Sequence, residues 1–230
     1  MTENNKTAIL LGASGLVGGF LLNMLLDCGT YNHVLIFVRK PLGKEHPILT
    51  EYVIDFDDPQ SYKDLVKGDD LFCCLGTTIK KAGSQAAFRK VDYEYPITFA
   101  EIAKENGIKQ YLIITAIGAN AQSSVFYTRT KGECENSIKA LGLPSVKIFR
   151  PSLLTGNRKE FRLKAIDLCH EGFLILHDWQ MEEISSCRMP AGSQSYVMLG
   201  KSRVSGSFDI RIRSDTSLLR SQTFLFTLQV

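Results

Sequence analysis

The sequence has little of several things that would have pointed elsewhere. Its 230 residues hold one tryptophan, four histidines and six cysteines, and no two cysteines stand in CxxC spacing. Without such pairs, or histidines clustered near a cysteine, no metal site is expected. Cys73 and Cys74 adjoin inside an apolar run and read as small, reduced packing residues. No apolar run is long enough to span a bilayer, and the polar residues 1–6 lead straight into a strand pattern. No signal peptide and no membrane association are therefore expected, and the expected location is cytoplasmic. Charge of one sign is lacking too, since 27 Lys and Arg against 24 Asp and Glu leave only +3. So weak a balance gives no electrostatic reason to expect nucleic acid as a partner.

Alternation is what the chain does have. Short, continuously apolar runs predict strands at 7–11, 33–38, 52–54, 71–75, 111–115 and 146–149. Helical periodicity fills the gaps at 15–28, 59–66, 86–106 and 127–141, and the last two stretches stop at Gly107 and Gly142. Asp57 and Asp58 are placed to cap the helix that begins at Pro59. Strands that are apolar on both faces and alternate with helices build a parallel sheet covered on both sides. The expected class is thus α/β, a Rossmann-type doubly wound sheet with right-handed crossovers, spanning residues 1–162. From residue 163 to 230 the alternation fades, and serine and arginine become frequent. That stretch reads as a divergent C-terminal extension adding little to the sheet. It holds apolar segments at 173–176 and 224–228, and a helix is expected near 161–170.

The first strand runs into Gly12-Ala13-Ser14-Gly15-Leu16-Val17-Gly18, and the first helix follows at once. Between a strand and a helix this G-x-x-G-x-x-G spacing has a mechanism. Early glycines let the backbone turn sharply and approach a pyrophosphate, and the helix N-terminus offers free N–H groups to it. Gly18 lets the helix pack closely on the strand. At the end of the second strand, where an acid would accept hydrogen bonds from ribose hydroxyls, stand Arg39 and Lys40. Two cations suit a 2′-phosphate instead, so the expected cofactor is NADP(H). Asp55 is placed to accept from an adenine amino group, with Phe56 packing on the ring edge. Gly76-Thr77-Thr78 forms a polar loop after the fourth strand, on the sheet edge where open α/β folds bind ligands.

Tyr127 and Lys131 stand at i and i+4, so both project from one helix face. A free phenol ionises near ~10, and an ammonium beside a phenol favours its ionised form. Such a pair can exchange a proton with a substrate oxygen while hydride moves at a nicotinamide.

With these residues in view, the sequence resembles the atypical short-chain dehydrogenase/reductases of the Tat-interacting protein (TIP30) group and their bacterial relatives. The likeness is carried by residues 9–15, the Phe-Cys-Cys-Leu-Gly-Thr-Thr string at 72–78, Lys81-Ala82-Gly83, Val91-Asp92-Tyr93, Tyr127 with Lys131-Gly132-Glu133, and Phe149-Arg150-Pro151. The resemblance implies an NADPH-binding Rossmann fold with Tyr127 and Lys131 as its catalytic pair. It further implies that Leu75, Gly76 and Thr77 line the cofactor, that Lys131 also reaches the nicotinamide ribose, and that residues from Pro151 to Leu153 approach the nicotinamide. Two departures stand out. Relatives carry two hydroxyl residues after the fifth strand, whereas this chain has Thr115-Ala116. Thr115 is then the expected donor to a substrate oxygen, with Ser123 or Ser124 as the replacement for the second hydroxyl. The other departure is the C-terminal segment, which leaves the substrate side incomplete. The expected activity is NADP(H)-dependent reduction of a small carbonyl substrate. Two alternatives stay open: an NADPH-sensing protein that regulates a protein partner, and a protein like the nucleotide-sugar epimerases and dehydratases.

Overall fold

The computed structural model describes residues 6–154, 196–201, 209–214 and 224–229. Six parallel strands form the centre of the molecule: β1 (Lys6–Leu11), β2 (Tyr31–Val38), β3 (Leu49–Val53), β4 (Asp70–Cys73), β5 (Gln110–Ile114) and β6 (Val146–Leu154). Their order is β3-β2-β1-β4-β5-β6, so chain direction across the sheet reverses between β1 and β4. In an open α/β sheet that reversal opens a crevice at the strands' carboxyl ends. Along β1, Ile9 and Leu11 join one buried apolar cluster, and Ala8 and Leu10 join the other. The alternation of one strand thus feeds two cores, one under each layer of helices. Phe37, Phe56, Tyr62 and Phe99 interlock in the first core, with the Tyr62 and Phe99 rings stacked at 5.0 Å.

The strands predicted from the apolar runs are present. The third is shifted toward the N-terminus, because pairing with β2 begins at Val34↔Leu49. As an edge strand it tolerates the polar Thr50 and Glu51 that hid it in the pattern. Helices α1 (Leu16–Asp27) and α6 (Phe126–Ala140) stand where periodicity put them. The predicted 59–66 helix is one α turn, α2 (Pro59–Tyr62), continued by a 3-10 turn over Lys63–Leu65. Neither acid caps it through its side chain: Asp58 makes no such bond, and Asp57 is held by Lys90 and Tyr95.

The helix expected over 86–106 differs more. A short α3 (Ile79–Ala82) precedes α4 (Gln85–Arg89), which passes through a π-helical turn over Lys90–Glu94 into α5 (Tyr95–Glu105). Pro96 has no N–H to give to the carbonyl of Asp92, so the regular α register fails there. The wider turn absorbs the loss, and the Tyr95 N–H bonds to the Lys90 carbonyl instead.

Three further strands lie beyond β6. β7 (Tyr196–Lys201) and β8 (Asp209–Ser214) pair with each other antiparallel. β9 (Phe224–Gln229) pairs antiparallel with β6, from Ile148↔Gln229 to Leu154↔Phe224. This corrects the expectation that the C-terminal segment adds little to the sheet: its β-prone Phe-Leu-Phe-Thr-Leu run covers the open edge of β6. The predicted helix at 161–170, the apolar segment 173–176 and the boundary at 162/163 lie outside the described residues.

Candidate active site

The carboxyl ends of β1 and β4 meet where the glycine motif turns. Gly12 has φ +80°, a left-handed conformation that suits glycine. A Cβ on Gly12 would lie 2.5 Å from the Cys74 carbonyl oxygen, and one on Gly18 would lie 2.1 Å from the Gly12 carbonyl oxygen. The motif therefore seats α1 against the β1 turn and that turn against the chain leaving β4. The Gly15 N–H bonds back to the Gly12 carbonyl at 2.9 Å. No side chain caps α1 and no acid stands in its first turn, so the N–H groups of Leu16, Val17 and Gly18 face no built-in anion. Ser14 and Gly15 are exposed at the rim. A bare helix terminus reached by close backbone approach fits a pyrophosphate.

At the end of β2, Arg39 and Lys40 are exposed, and neither enters an ion pair among the described residues. Asp55 is exposed as well, but its Oδ1 accepts the Asp57 N–H at 2.9 Å and so shapes its own turn. Phe56 departs from the expectation that it packs on an adenine edge. Its ring is buried against Tyr62, Tyr95 and Phe99, because the inward face of this turn belongs to the aromatic core. Asp57 accepts from Lys90 at 2.7 Å and from Tyr95 at 2.8 Å. These bonds, Lys90's first, hold its carboxyl below the ordinary value.

The proposed proton-transfer pair sits at the start of α6. Tyr127 is half-buried, its ring packed at 5.6 Å on the buried Phe88 of α4. One turn on, Lys131 is only 4% exposed, and its Nζ lies 2.7 Å from Oδ1 of Asp92 in the π turn. Burial pushes the ammonium down, but Asp92 and then Tyr127 outweigh it, so Lys131 is held above its ordinary value. The other Asp92 oxygen accepts the Thr77 N–H at 2.9 Å. Directly above, a Cβ on Gly76 would come within 3.5 Å of Asp92 Oδ1 and 4.0 Å of Lys131 Nζ. Gly76, Thr77 and Lys131 are thus brought together around a carboxylate that sequence spacing does not reveal. The one signal for it was the Val-Asp-Tyr segment at 91–93. Leu75 packs on the core, Pro151 is buried with its carbonyl accepting the Ile117 N–H at 2.9 Å, and Leu153 follows two residues further along β6.

Thr115 is placed differently from its expected role. It is buried, and its hydroxyl donates to Glu135 Oε1 at 2.6 Å rather than facing the crevice. Glu135 is itself 2% exposed and holds Arg150 in a bidentate contact along one guanidinium edge, Nε at 3.0 Å and a terminal nitrogen in an ion pair. Thr115, Glu135 and Arg150 together tie β5, α6 and β6. Ser123 is also engaged, since its hydroxyl oxygen accepts from the Val125 N–H at 3.1 Å and the Thr128 hydroxyl at 2.6 Å. Ser124 is exposed.

The buried cysteines are inert. Burial pushes the Cys73 thiol up and raises that of Cys134 to about 12. Among the described residues there is no group of His, Cys, Asp or Glu that could hold a metal ion. No described helix is long and apolar enough to cross a membrane.

Comparison with known proteins agrees with this geometry. Residues 12–167 match the model of the NAD(P)H-binding family. Protein HTATIP2 of Rattus norvegicus is 36% identical over 162 residues, covering 69% of this chain and 66% of its own. The mitochondrial protein FMP52 of Debaryomyces hansenii is 33% identical over 158 residues, covering 67% of this chain and 69% of its own. The chain therefore spans about two thirds of the length of these relatives. Among solved structures, the Bordetella bronchiseptica enzyme WbmH in complex with NAD+ superposes with a TM-score of 0.54 at 17% identity, covering 64% of this chain and 56% of that one. MoeE5 in complex with UDP-glucose and NAD gives 0.52 at 16% identity, over 61% and 52%. At such identities these two structures speak to the fold alone. A Rossmann-like sheet, a glycine cradle without side chains and the family match converge, and the chain belongs to the NAD(P)H-binding family, in the group of HTATIP2 and FMP52.

Proposed function

We propose that the protein is an NADP(H)-dependent oxidoreductase that reduces a small carbonyl compound through Tyr127 and Lys131. The observation that carries this reading is the buried, ion-paired Lys131 one helical turn behind Tyr127, under the loop that follows β4. The glycine cradle and the N-terminus of α1 would hold the pyrophosphate. Arg39 and Lys40 would pair with a 2′-phosphate, which favours NADP(H) over NAD(H). A bound reduced nicotinamide supplies hydride. The residues of the chain supply the rest: the Tyr127 hydroxyl gives its proton to the carbonyl oxygen, and the Lys131 ammonium stabilises the phenolate left behind. Phe88 fixes the Tyr127 ring, so the donor is held before substrate arrives.

A second reading has an observation in its favour. With Thr115 bonded to Glu135 and Ala116 beside it, neither residue after β5 offers a hydroxyl to a substrate. A protein whose NADPH occupancy controls a partner needs no such donor. Turnover of a panel of aldehydes and ketones with NADPH, measured beside a direct NADPH titration, separates the two. Turnover supports the enzyme, and tight binding without turnover of any member supports the sensor.

A further inference from the structure

Asp92 is the most deeply buried charged residue among the described residues. It is 1% exposed and lies in the one π-helical turn among the described residues, against α6. Such turns recur at functional sites because the extra residue re-aims a side chain. The two oxygens of this carboxylate face different parts of the site. Oδ1 lies against the Lys131 ammonium at 2.7 Å, and Oδ2 accepts the Thr77 N–H at 2.9 Å. Thr77 belongs to the loop that leaves β4 beside the glycine turn, so a single carboxylate links that loop to the lysine of the Tyr127 pair.

We infer that Asp92 is a positioning residue for the reaction, holding Lys131 as a cation and fixing the Leu75–Thr77 loop over it. This rests on the reductase reading, in which Lys131 must carry charge when the Tyr127 proton leaves. Burial works against an ammonium at this depth, and of the neighbours that oppose it Asp92 comes first. The groups that act on it are Asp92 from the π turn, Tyr127 and Cys134 from α6, and Cys73 from β4, while Glu135 of α6 acts on Cys134 and Tyr111 of β5 on the two thiols. Burial pushes the thiols up, so they remain neutral, and Glu135 is paired with Arg150. Asp92 is the carboxylate in contact with the ammonium. The balance of the step is unchanged by it: the O–H bond of Tyr127 breaks, that of the product alcohol forms, and the carbonyl carbon takes the hydride pair from the reduced nicotinamide. Asp92 neither gains nor loses a proton.

The test uses the full chain labelled with 13C at lysine Cε, with the Lys131 resonance identified by its loss in Lys131→Met. An opposite charge at contact is worth about one to three units in a neighbour's proton affinity. Asp92→Asn is therefore expected to lower the proton affinity of Lys131 about tenfold or more. Asp92→Glu, which keeps the charge, is expected to restore most of it. Protection of the Thr77 amide against hydrogen exchange falls in Asp92→Asn. Where the parent turns over, the alkaline limb of its kcat/KM profile moves to lower pH in step with Lys131. If Asp92→Asn does not fold, Asp92→Ser, which leaves room for water on the ammonium, carries the same measurements. A Lys131 midpoint that does not move overturns the inference, as does a shifted midpoint with an unshifted alkaline limb. A parent that binds NADPH without turnover overturns the reductase reading, while the resonance still shows whether Asp92 holds the cation.

Discussion

Where β1 meets β4 the site is shaped by side chains that are missing; where β4 meets α6 it is shaped by buried charges. At the first corner Gly12 and Gly18 allow backbone to lie on backbone, and a single Cβ would collide at 2.5 or 2.1 Å. At the second, the buried Lys131 pairs with the buried Asp92, whose other oxygen accepts the Thr77 N–H. The first arrangement tolerates almost no substitution, because a carbonyl cannot rotate away from a methyl group. The second tolerates changes of shape but not of charge, because an ion without its partner is costly to bury. In the proposed reductase, binding and chemistry can therefore fail separately, and substitutions should divide along that line.

The largest effect is expected at the glycine corner. Gly18→Val places carbon against the Gly12 carbonyl and drives α1 off the sheet. Overpacking a side-chain core costs about 1–3 kcal/mol, and a backbone neighbour has less freedom to yield. The variant should lose both its native melting transition and its NADPH fluorescence enhancement. A parental melt with parental binding would show that α1 does not pack as described.

Tyr127→Phe comes next and acts on the other corner alone. Removing the hydroxyl leaves the ring against Phe88, so fold and NADPH affinity should barely change. General acid help is worth roughly 10²–10⁴ in rate, and turnover should fall within that range. Full carbonyl-reducing activity in this variant would remove Tyr127 from the mechanism.

A smaller loss is expected from Arg39→Ala, which sharpens the binding half of the comparison. A charge-assisted hydrogen bond contributes about 1.5–3 kcal/mol, so NADPH should weaken about tenfold or more while NADH is nearly unaffected. Isothermal titration with both cofactors decides it. Equal losses for the two would mean that Arg39 does not select the 2′-phosphate.

The two corners also differed in how far the sequence revealed them. The glycine corner was legible because its requirement is local: a strand, three glycines at fixed spacing and a helix lie within 22 consecutive residues. The central strands β1, β2, β4 and β5 were legible for a similar reason, each holding a run of buried apolar residues, whereas polar Thr50 and Glu51 hid the start of β3. The charge corner was half legible. Tyr127 and Lys131 share one helix, so spacing found them, but Asp92 is 39 residues away and meets Lys131 only when α4, the π turn and α6 have packed. Thr115 was misread because exposure at a strand end is a tertiary property, and Glu135 claims its hydroxyl across 20 positions. Phe56 was misread likewise, as nothing local says which face of its turn joins the aromatic core. β9 was missed because its value lies in the edge of β6, a strand far back along the chain.

The smallest effect concerns pH, and it asks whether the charge corner is as dry as its pairs imply. Cys134 sits beside Lys131 on α6, 0% exposed, with burial raising its thiol to about 12. An unfolded cysteine ionises near ~8.5. The folded value is the higher one, so between the two the unfolded chain has released a proton that the native state keeps. Stability is then fully present below about 8.5 and falls as pH rises from there toward the folded value. From this thiol alone the loss should reach a little under 1 kcal/mol, roughly, at pH 9. Cys73, which burial also pushes up, and Lys131, held above its ordinary value, add losses of the same sign, the lysine's setting in above its unfolded value near ~10.4. Urea melts of the parent from pH 7.5 to 9.5 should therefore show declining stability, and Cys134→Ala should flatten that decline even though the cavity lowers stability at every pH. An equally steep decline in Cys134→Ala would mean that the thiol ionises in the fold as easily as outside it, and that water reaches the Lys131 side of α6.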